Sequence, residues 1–207
     1  MSHVVNLALI YYSSTGTGTN IANTMAAAAE AAGAQVRVRK VAELAPQAAI
    51  ESNPIWAAHH AATADIPVPS SDDLTWADAI ILGSPTRFGN IAAQMKQFFD
   101  TLSPLWLAGV LSDKVYSGFT STSTRHGGHE STLLAMYNTI HHFGGIIVPP
   151  GYTDPIKFVD GNPYGTSHHA VFGPDLGTID DDTRNSARHQ AERVVRIARA
   201  LKSGSTA

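Results

Sequence analysis

The sequence predicts an α/β fold in which helices cover both faces of a parallel sheet. Two observations carry this. Short apolar runs rich in β-branched residues recur along the chain, with longer helix-like segments between them. Two of those segments carry a single apolar stripe, as helices laid on a sheet do. The 207 residues suit one domain, 1–207, with inserted loops at about 45–73 and 149–175.

The elements follow in order. Val4–Tyr11 is the first strand, and the alanine-rich segment after it the first helix. Gln35–Arg39 is the second strand. Ala45–Asp73 then carries four prolines and an AAHHAA stretch, too long for a plain turn. Ala79–Ser84 is the third strand. In NIAAQMKQFFDTL, Ile91, Met95, Phe98, Phe99 and Leu102 form one stripe that leaves out Lys96 and Asp100. Val115–Thr120 and Ile146–Pro149 supply the fourth and fifth strands. Pro149–Asp175 shows neither helical nor strand period, and a loop of more than about 12–15 residues in a domain usually serves function or subunit contact. Asp180–Lys202 closes the fold, with Ala187, Ala191, Val194, Val195, Ala198 and Leu201 inward and Arg188, Arg193, Arg196 and Arg199 on a solvated face. The end SGSTA reads as frayed.

Composition removes several function classes. A formal charge of −3, from 14 Lys+Arg against 17 Asp+Glu, argues against nucleic acid or an anionic membrane as partner. The absence of cysteine excludes disulfides, thiolate metal sites and a cysteine nucleophile. The N-terminal MSHVVNLALIYY has no basic n-region, and its apolar run is far short of the ~20 residues that span a bilayer, so the expectation is a cytoplasmic protein. Ten histidines include the pairs His59-His60, His141-His142 and His168-His169; adjacent helical positions diverge by about 100°, and no metal site is expected. No Gly-x-Ser-x-Gly elbow suggests a hydrolase.

The chemistry concentrates in YYSSTGTGTNIA, Tyr11–Ala22, between the first strand and helix. The first N–H groups of a helix lack internal partners and point at the preceding turn, where the helix dipole favours an anion. Hydroxyls of Ser13, Ser14, Thr15, Thr17 and Thr19 add donors, and Gly16 and Gly18 let the backbone curl around a phosphate. The turn holds no Lys or Arg. Ile21 stands at the third glycine position of the dinucleotide fingerprint, and no Gly-Lys-Ser/Thr follows, which disfavours dinucleotides and nucleoside triphosphates and leaves a terminal monophosphate. The same residues also suit an ordinary Ser/Thr helix cap.

Two further loops lie just past strand ends, where ligands bind in such sheets. One is Gly83-Ser84-Pro85-Thr86-Arg87-Phe88-Gly89-Asn90; the other runs from Thr120 through Ser121, Thr122, Ser123, Thr124, Arg125, His126, Gly127 and Gly128 to Glu130. Pro85 fixes a turn, Arg87 offers a cation and Phe88 an apolar face, which suits a flat heteroaromatic ring with carbonyl acceptors on its rim.

The set YYS-x-x-G, GSPTRFGN, the Ser/Thr-rich loop ending GGHE, VPPGY and NPYG resembles the WrbA family of flavodoxin-like NAD(P)H:quinone oxidoreductases, from Val4 to about Leu201. The resemblance implies a flavodoxin-like three-layer sandwich with a five-stranded parallel sheet in order 2-1-3-4-5. It also implies FMN at the strand ends, NADH or NADPH as donor, a quinone acceptor, and a homotetramer whose sites neighbouring subunits complete. Carried over, Ser13–Gly18 hold the phosphate, and Pro85, Thr86, Arg87 and Phe88, with Gly89 and Asn90 behind, hold the ring together with Ser121–Thr124, Gly127 and Gly128. Trp106 falls where the family has an aromatic beside the quinone, although a tryptophan there also suits a core or interface.

Three departures stand out. The family's Tyr-Gly-His in the first turn is Thr15-Gly16-Thr17 here, and the loop after the fourth strand is one residue longer. His-His-Gly becomes His141-His142-Phe143-Gly144, which puts Phe143 at the site-lining histidine unless a register shift restores His142. The expected activity is a two-electron, ping-pong relay from nicotinamide to quinone, with Arg87 stabilising charge on the reduced ring and Trp106 and Phe143 forming an apolar slot. The alternatives are a flavodoxin-type single-electron carrier, which the near-neutral charge disfavours, and an interaction protein that keeps the fold without cofactor.

Overall fold

The computed structural model describes residues 4–171, 173 and 175–204. The elements are β1 (Val5–Tyr11), α1 (Thr17–Ala31), β2 (Ala34–Lys40), α2 (Gln47–Glu51), α3 (Pro54–Ala62), α4 (Ser71–Trp76), β3 (Ala79–Pro85), α5 (Ala93–Asp100), α6 (Ser103–Leu107), β4 (Val115–Thr122), α7 (His129–Phe143), β5 (Ile146–Ile147), α8 (Ile156–Asp160), β6 (Thr166–His169) and α9 (Asp181–Gly204). The sheet is parallel in the order β2-β1-β3-β4-β5, as expected, with β6 also paired to β4.

Why β1 is apolar throughout follows from its two covered faces. Val5, Leu7, Leu9 and Tyr11 point into one core with α1 and α9, while Ala8, Ile10 and Tyr12 point into the other with α5 and α7. β3 repeats this, with Ala79 and Ile81 on the first side and Ile80 and Leu82 on the second. The stripes of α5 and α9 are the buried ones expected, except that Leu201 is 39% exposed. Two arginines assigned to the solvated face of α9 are partnered instead: Arg193 donates to Pro149 O at 3.0 Å and Arg199 to Ala32 O at 2.6 Å. Edge strand β2 carries Arg37 and Arg39, which pair with Asp72 and Asp73 of α4, and such charges discourage pairing with another chain.

The fifth lane of the sheet is split. β5 lies beside Val115 and Tyr116, and β6 beside Phe119 to Thr122, further along β4. Between them the chain leaves after Val148, whose N–H donates to Tyr116 O at 2.7 Å, and returns at Thr166. This exposes the middle of β4, and Gln190 of α9 fills the gap. Its Nε2 donates to Gly118 O and Ser117 Oγ, both at 2.7 Å, and its Oε1 accepts from Thr166 N at 2.6 Å and Thr166 Oγ1 at 2.8 Å. Lys157, buried completely, anchors the insert from the other side through Asp160, Ser186 Oγ and Gly165 O.

The 149–175 segment, read as lacking any period, therefore contains α8 and β6. Its strand, TSHH, is polar because its partners are hydroxyl and amide groups. The 45–73 connection likewise holds α2, α3 and α4, too short to show a stripe but started by helix caps at Asn53 and Ser70. Ser203 and Gly204 of the SGSTA end belong to α9, while residues 205–207 of it lie outside the described residues. No helix among the described residues is long and apolar enough to cross a membrane.

Candidate functional site

A cleft opens at the carboxyl ends of β1, β3 and β4, across the point where the strand order reverses between β1 and β3. Its walls are Tyr12, Ser13, Ser14, Thr15, Thr17 and Gly18 from the turn into α1; Pro85, Thr86 and Arg87 from β3 and its loop; and Ser121, Thr122 and Ser123 from β4. The three loops singled out in the sequence therefore meet.

The turn is built around unused donors. Ser13 Oγ accepts from Gly16 N at 3.1 Å, which bends the chain into the start of α1. Thr17 and Gly18 stand in the first turn of α1, where no residue of the helix can receive their N–H groups. Thr17 Oγ1 is buried and has no hydrogen-bond partner among the described residues. A buried hydroxyl without a partner costs free energy unless a ligand satisfies it. The donor set is neutral, concave and rich in N–H and O–H, and it fits the phosphate of FMN.

The ring loop is held by its neighbours. Thr86 N donates to Ser121 O at 2.9 Å, Thr132 Oγ1 to Thr86 Oγ1 at 2.9 Å, and Thr86 Oγ1 takes Gly89 N at 3.1 Å. Gly128 faces Gly89 so closely that a Cβ at Gly128 would lie 2.6 Å from Gly89 Cα. Gly89, Gly127 and Gly128 thus shape the loops, and Asn90 closes the turn by pairing with Arg87. Phe88 is fully exposed, with φ of 55°. Arg87 is exposed too; one Nη donates to Thr86 O at 2.9 Å, and its guanidinium also reaches the Tyr12 hydroxyl at the cleft mouth.

Behind the cleft, Glu43 ties four segments together. It accepts from Tyr12 OH at 2.8 Å, Trp56 Nε1 at 3.2 Å, Gln94 Nε2 at 2.7 Å and the Leu44 and Ala45 amides. Burial opposes its ionisation, but these bonds outweigh burial and hold the carboxyl below its ordinary value. Burial, and then Glu43 itself, push the Tyr12 phenol well above the tyrosine range, so Tyr12 stays a neutral donor. At the β4 loop, Thr122 Oγ1 lies 2.7 Å from His129 Nε2, and Thr124 O takes the Thr122 hydroxyl at 2.5 Å. Thr122 therefore bonds both Thr124 and His129.

Ten expected site residues do not line this cleft: Gly16, Phe88, Gly89, Asn90, Thr124, Gly127 and Gly128 belong to its loops, and Trp106, His142 and Phe143 lie elsewhere. Helix α7 runs from the cleft end of β4 back to its start, where Ser112 Oγ donates to Phe143 O at 3.2 Å and Asp113 N to Gly144 O at 3.1 Å. His142 and Phe143 therefore lie at the opposite edge of the sheet. Phe143 is a core residue, edge-on to Phe99 with centroids 6.3 Å apart and tilted against Tyr116, and it cannot line an apolar slot. His142 is exposed; its carbonyl accepts from Trp106 Nε1 at 2.8 Å, and Trp106 is 52% exposed at the same edge.

The structure adds residues that sequence reading missed. Asn53, Ala170 and Leu176 line the cleft, and His59 of α3 sits against its turn. Asn53-Pro54, an N-cap followed by proline at N1, was the readable mark of α3. Nothing local shows that α3 folds over the turn. Among the described residues no cluster of three or more metal-ligating side chains occurs.

Residues 6–154 match the family model described as NADPH-dependent FMN reductase. The chain is 45% identical over 202 residues to a protein of Deinococcus radiodurans named NAD(P)H dehydrogenase (quinone), covering 97% of this chain and 99% of that one. It is 40% identical over 198 residues to a protein of the same name from Azorhizobium caulinodans, covering 93% and 96%. A flavodoxin, WrbA-like crystal structure from Agrobacterium tumefaciens superposes with a TM-score of 0.68 at 24% identity, covering 95% of this chain and 98% of that one, which shows the shared fold.

Proposed function

The chain belongs to the NADPH-dependent FMN reductase family, in its WrbA-type branch, and from this premise we propose that it reduces quinones at the expense of NADH or NADPH with FMN in the cleft. The observation that carries the reading is the convergence of three hydroxyl-rich strand-end loops on one cleft in which the buried Thr17 Oγ1 has no partner among the described residues. FMN held there would supply the two-electron chemistry that links a nicotinamide donor to a quinone acceptor.

The residues have separate tasks. The Thr15–Gly18 turn binds the phosphate with amide and hydroxyl hydrogens. Pro85, Thr86 and the Ser121–Ser123 edge orient the ring, and Arg87, exposed at the rim, stabilises negative charge that develops on it. The enclosed volume is about 190 Å³, below the roughly 300–1,000 Å³ of a pocket that engulfs its ligand. A flavin ring there would therefore be only partly enclosed by this chain. Donor and acceptor use one face of it in turn, so the kinetics are ping-pong.

The aromatic cover for that face comes from other subunits of a homotetramer. Trp106 and Leu107 are exposed at the far edge of the sheet, 52% and 82%, and Phe88 is exposed at the cleft. Each edge thus presents apolar surface that an assembly buries. A cytoplasmic setting supplies both nicotinamide donors.

The test is anaerobic mixing of FMN-loaded protein with excess NADH or NADPH, followed by benzoquinone. Rapid bleaching of the flavin band by a nicotinamide and its recovery with quinone are expected, with parallel lines in double-reciprocal plots. No bleaching by either nicotinamide refutes the reading. Arg87→Ala with wild-type flavin affinity and turnover refutes the role given to Arg87, and a monomeric mass by light scattering refutes the shared site.

A further inference from the structure

The phosphate turn contains no cation, yet a histidine from a distant helix is built into it. His59 of α3 reaches across to both ends of the turn: Nδ1 lies 3.1 Å from Ser14 O and Nε2 lies 2.8 Å from Thr19 Oγ1. A carbonyl oxygen only accepts, so Nδ1 carries the proton and donates to Ser14. In the neutral ring Nε2 then accepts from the Thr19 hydroxyl. The imidazole therefore ties Ser14 to Thr19 and brackets the four residues between them, of which Thr15, Thr17 and Gly18 line the cleft.

Its own position is fixed from behind. Thr63 Oγ1 donates to His59 O at 2.8 Å, and the buried Lys40 donates from Nζ to Thr63 Oγ1 at 2.6 Å. Burial, and then the charge of Lys40, hold His59 down to about 4, so the ring is neutral at physiological pH. On the far side, Asn20 Nδ2 donates to Gly177 O at 2.7 Å and clips the turn to the segment before α9.

We propose that His59 is a positioning residue for the cofactor phosphate: by joining Ser14 to Thr19 it holds the turn in its anion-binding shape before the ligand arrives. It does not touch the phosphate. Its contribution is preorganisation, which raises affinity by removing the ordering that binding otherwise requires. The inference rests on FMN being the ligand of the cleft. It also explains why a site without Lys or Arg in its turn holds a doubly charged group: rigid, pre-aimed dipoles replace a mobile cation.

Binding of FMN and of riboflavin, which lacks the phosphate, separates this role from general support of the fold. Flavin fluorescence quenching is measured for wild type, His59→Ala, His59→Gln and Thr19→Val, the last cutting the same tie from its other end. FMN binding weakened about tenfold or more in His59→Ala and Thr19→Val, with riboflavin binding within about twofold of wild type, is the expected result. Partial recovery in His59→Gln, whose amide both donates and accepts, is expected as well. Equal losses for FMN and riboflavin, or no loss for either, overturn the role of His59, and Thr19→Val decides the matter should His59→Ala not fold. A wild-type protein that binds FMN no more tightly than riboflavin overturns the FMN reading itself.

Discussion

Replacing Gln190 with methionine tests the account of the split fifth lane. The side chain is fully buried and makes four hydrogen bonds of 2.6–2.8 Å to Ser117, Gly118 and Thr166. Methionine keeps the volume and removes all four. Ser117 Oγ still donates to Val148 O, and Thr166 Oγ1 still has Ser186 Oγ at 3.1 Å. The carbonyl of Gly118 and the amide of Thr166 each lose their bond to the Gln190 side chain. At about 0.5–1.5 kcal/mol for each of the four lost bonds, the loss is about 2–6 kcal/mol, a large share of the stability of an ordinary domain. Urea unfolding followed by far-UV circular dichroism gives the difference, and hydrogen exchange of the Thr166 amide gives its location. A loss below about 1 kcal/mol, or unchanged protection at Thr166, refutes the reasoning, because the gap would then be closed by something other than Gln190.

Three further outcomes follow from the same contacts. Thr17→Val removes a hydroxyl that has no partner without ligand, so thermal stability of the cofactor-free protein holds or rises while FMN affinity falls about tenfold by titration; a fall in stability with unchanged affinity contradicts the site. Gly177 has φ of 102°, and a Cβ there would lie 2.5 Å from Thr15 O, so Gly177→Ala displaces the phosphate turn and weakens FMN binding, whereas unaltered binding would show that this approach is not critical. Burial alone would raise the Asp73 carboxyl, but Arg39 and Ser70 outweigh it and hold it at about 2. Its stabilisation is complete above the unfolded value near 3.8 and is lost as pH falls through about 2, an acid limb of about 2 kcal/mol that Asp73→Asn flattens in urea titrations between pH 2 and 6; an unchanged limb would refute the assignment.

How far the sequence could be read depended on what each residue's partners are. β1, β3, β4 and the stripes of α5 and α9 announce themselves because they bury apolar side chains at regular spacing. The turn at Ser13–Gly18 is legible because strand, turn and helix start are contiguous in the chain. His59 and Glu43 were invisible for the opposite reason: each bonds the site's turn or strand end across tens of residues. Phe143 shows how matching aligned positions misleads when the direction of an element is not considered. A helix that leaves the cleft end of β4 and spans the sheet must finish at the other edge, and a residue on its last turn cannot line the cleft of its own chain. β6 was missed because TSHH makes its contacts through hydroxyls and rings, so no hydrophobic period marks it.

The interruption of the fifth lane also gives the molecule a docking port for foreign sequence. The chain departs opposite Tyr116 and comes back opposite Phe119, so the entry and exit points are about 10 Å apart along one strand. What hangs between them, including the stacked and exposed Tyr152 and Phe158, is a cassette whose two ends meet the scaffold at one place. The residues closing its base, Lys157 and Gln190 among them, tie it to α9 and β4. Ile147 stands opposite Tyr116 and Thr166 opposite Phe119, so a shortened version joined by two extended residues would run the lane unbroken and still deliver β6 to the cleft end of β4.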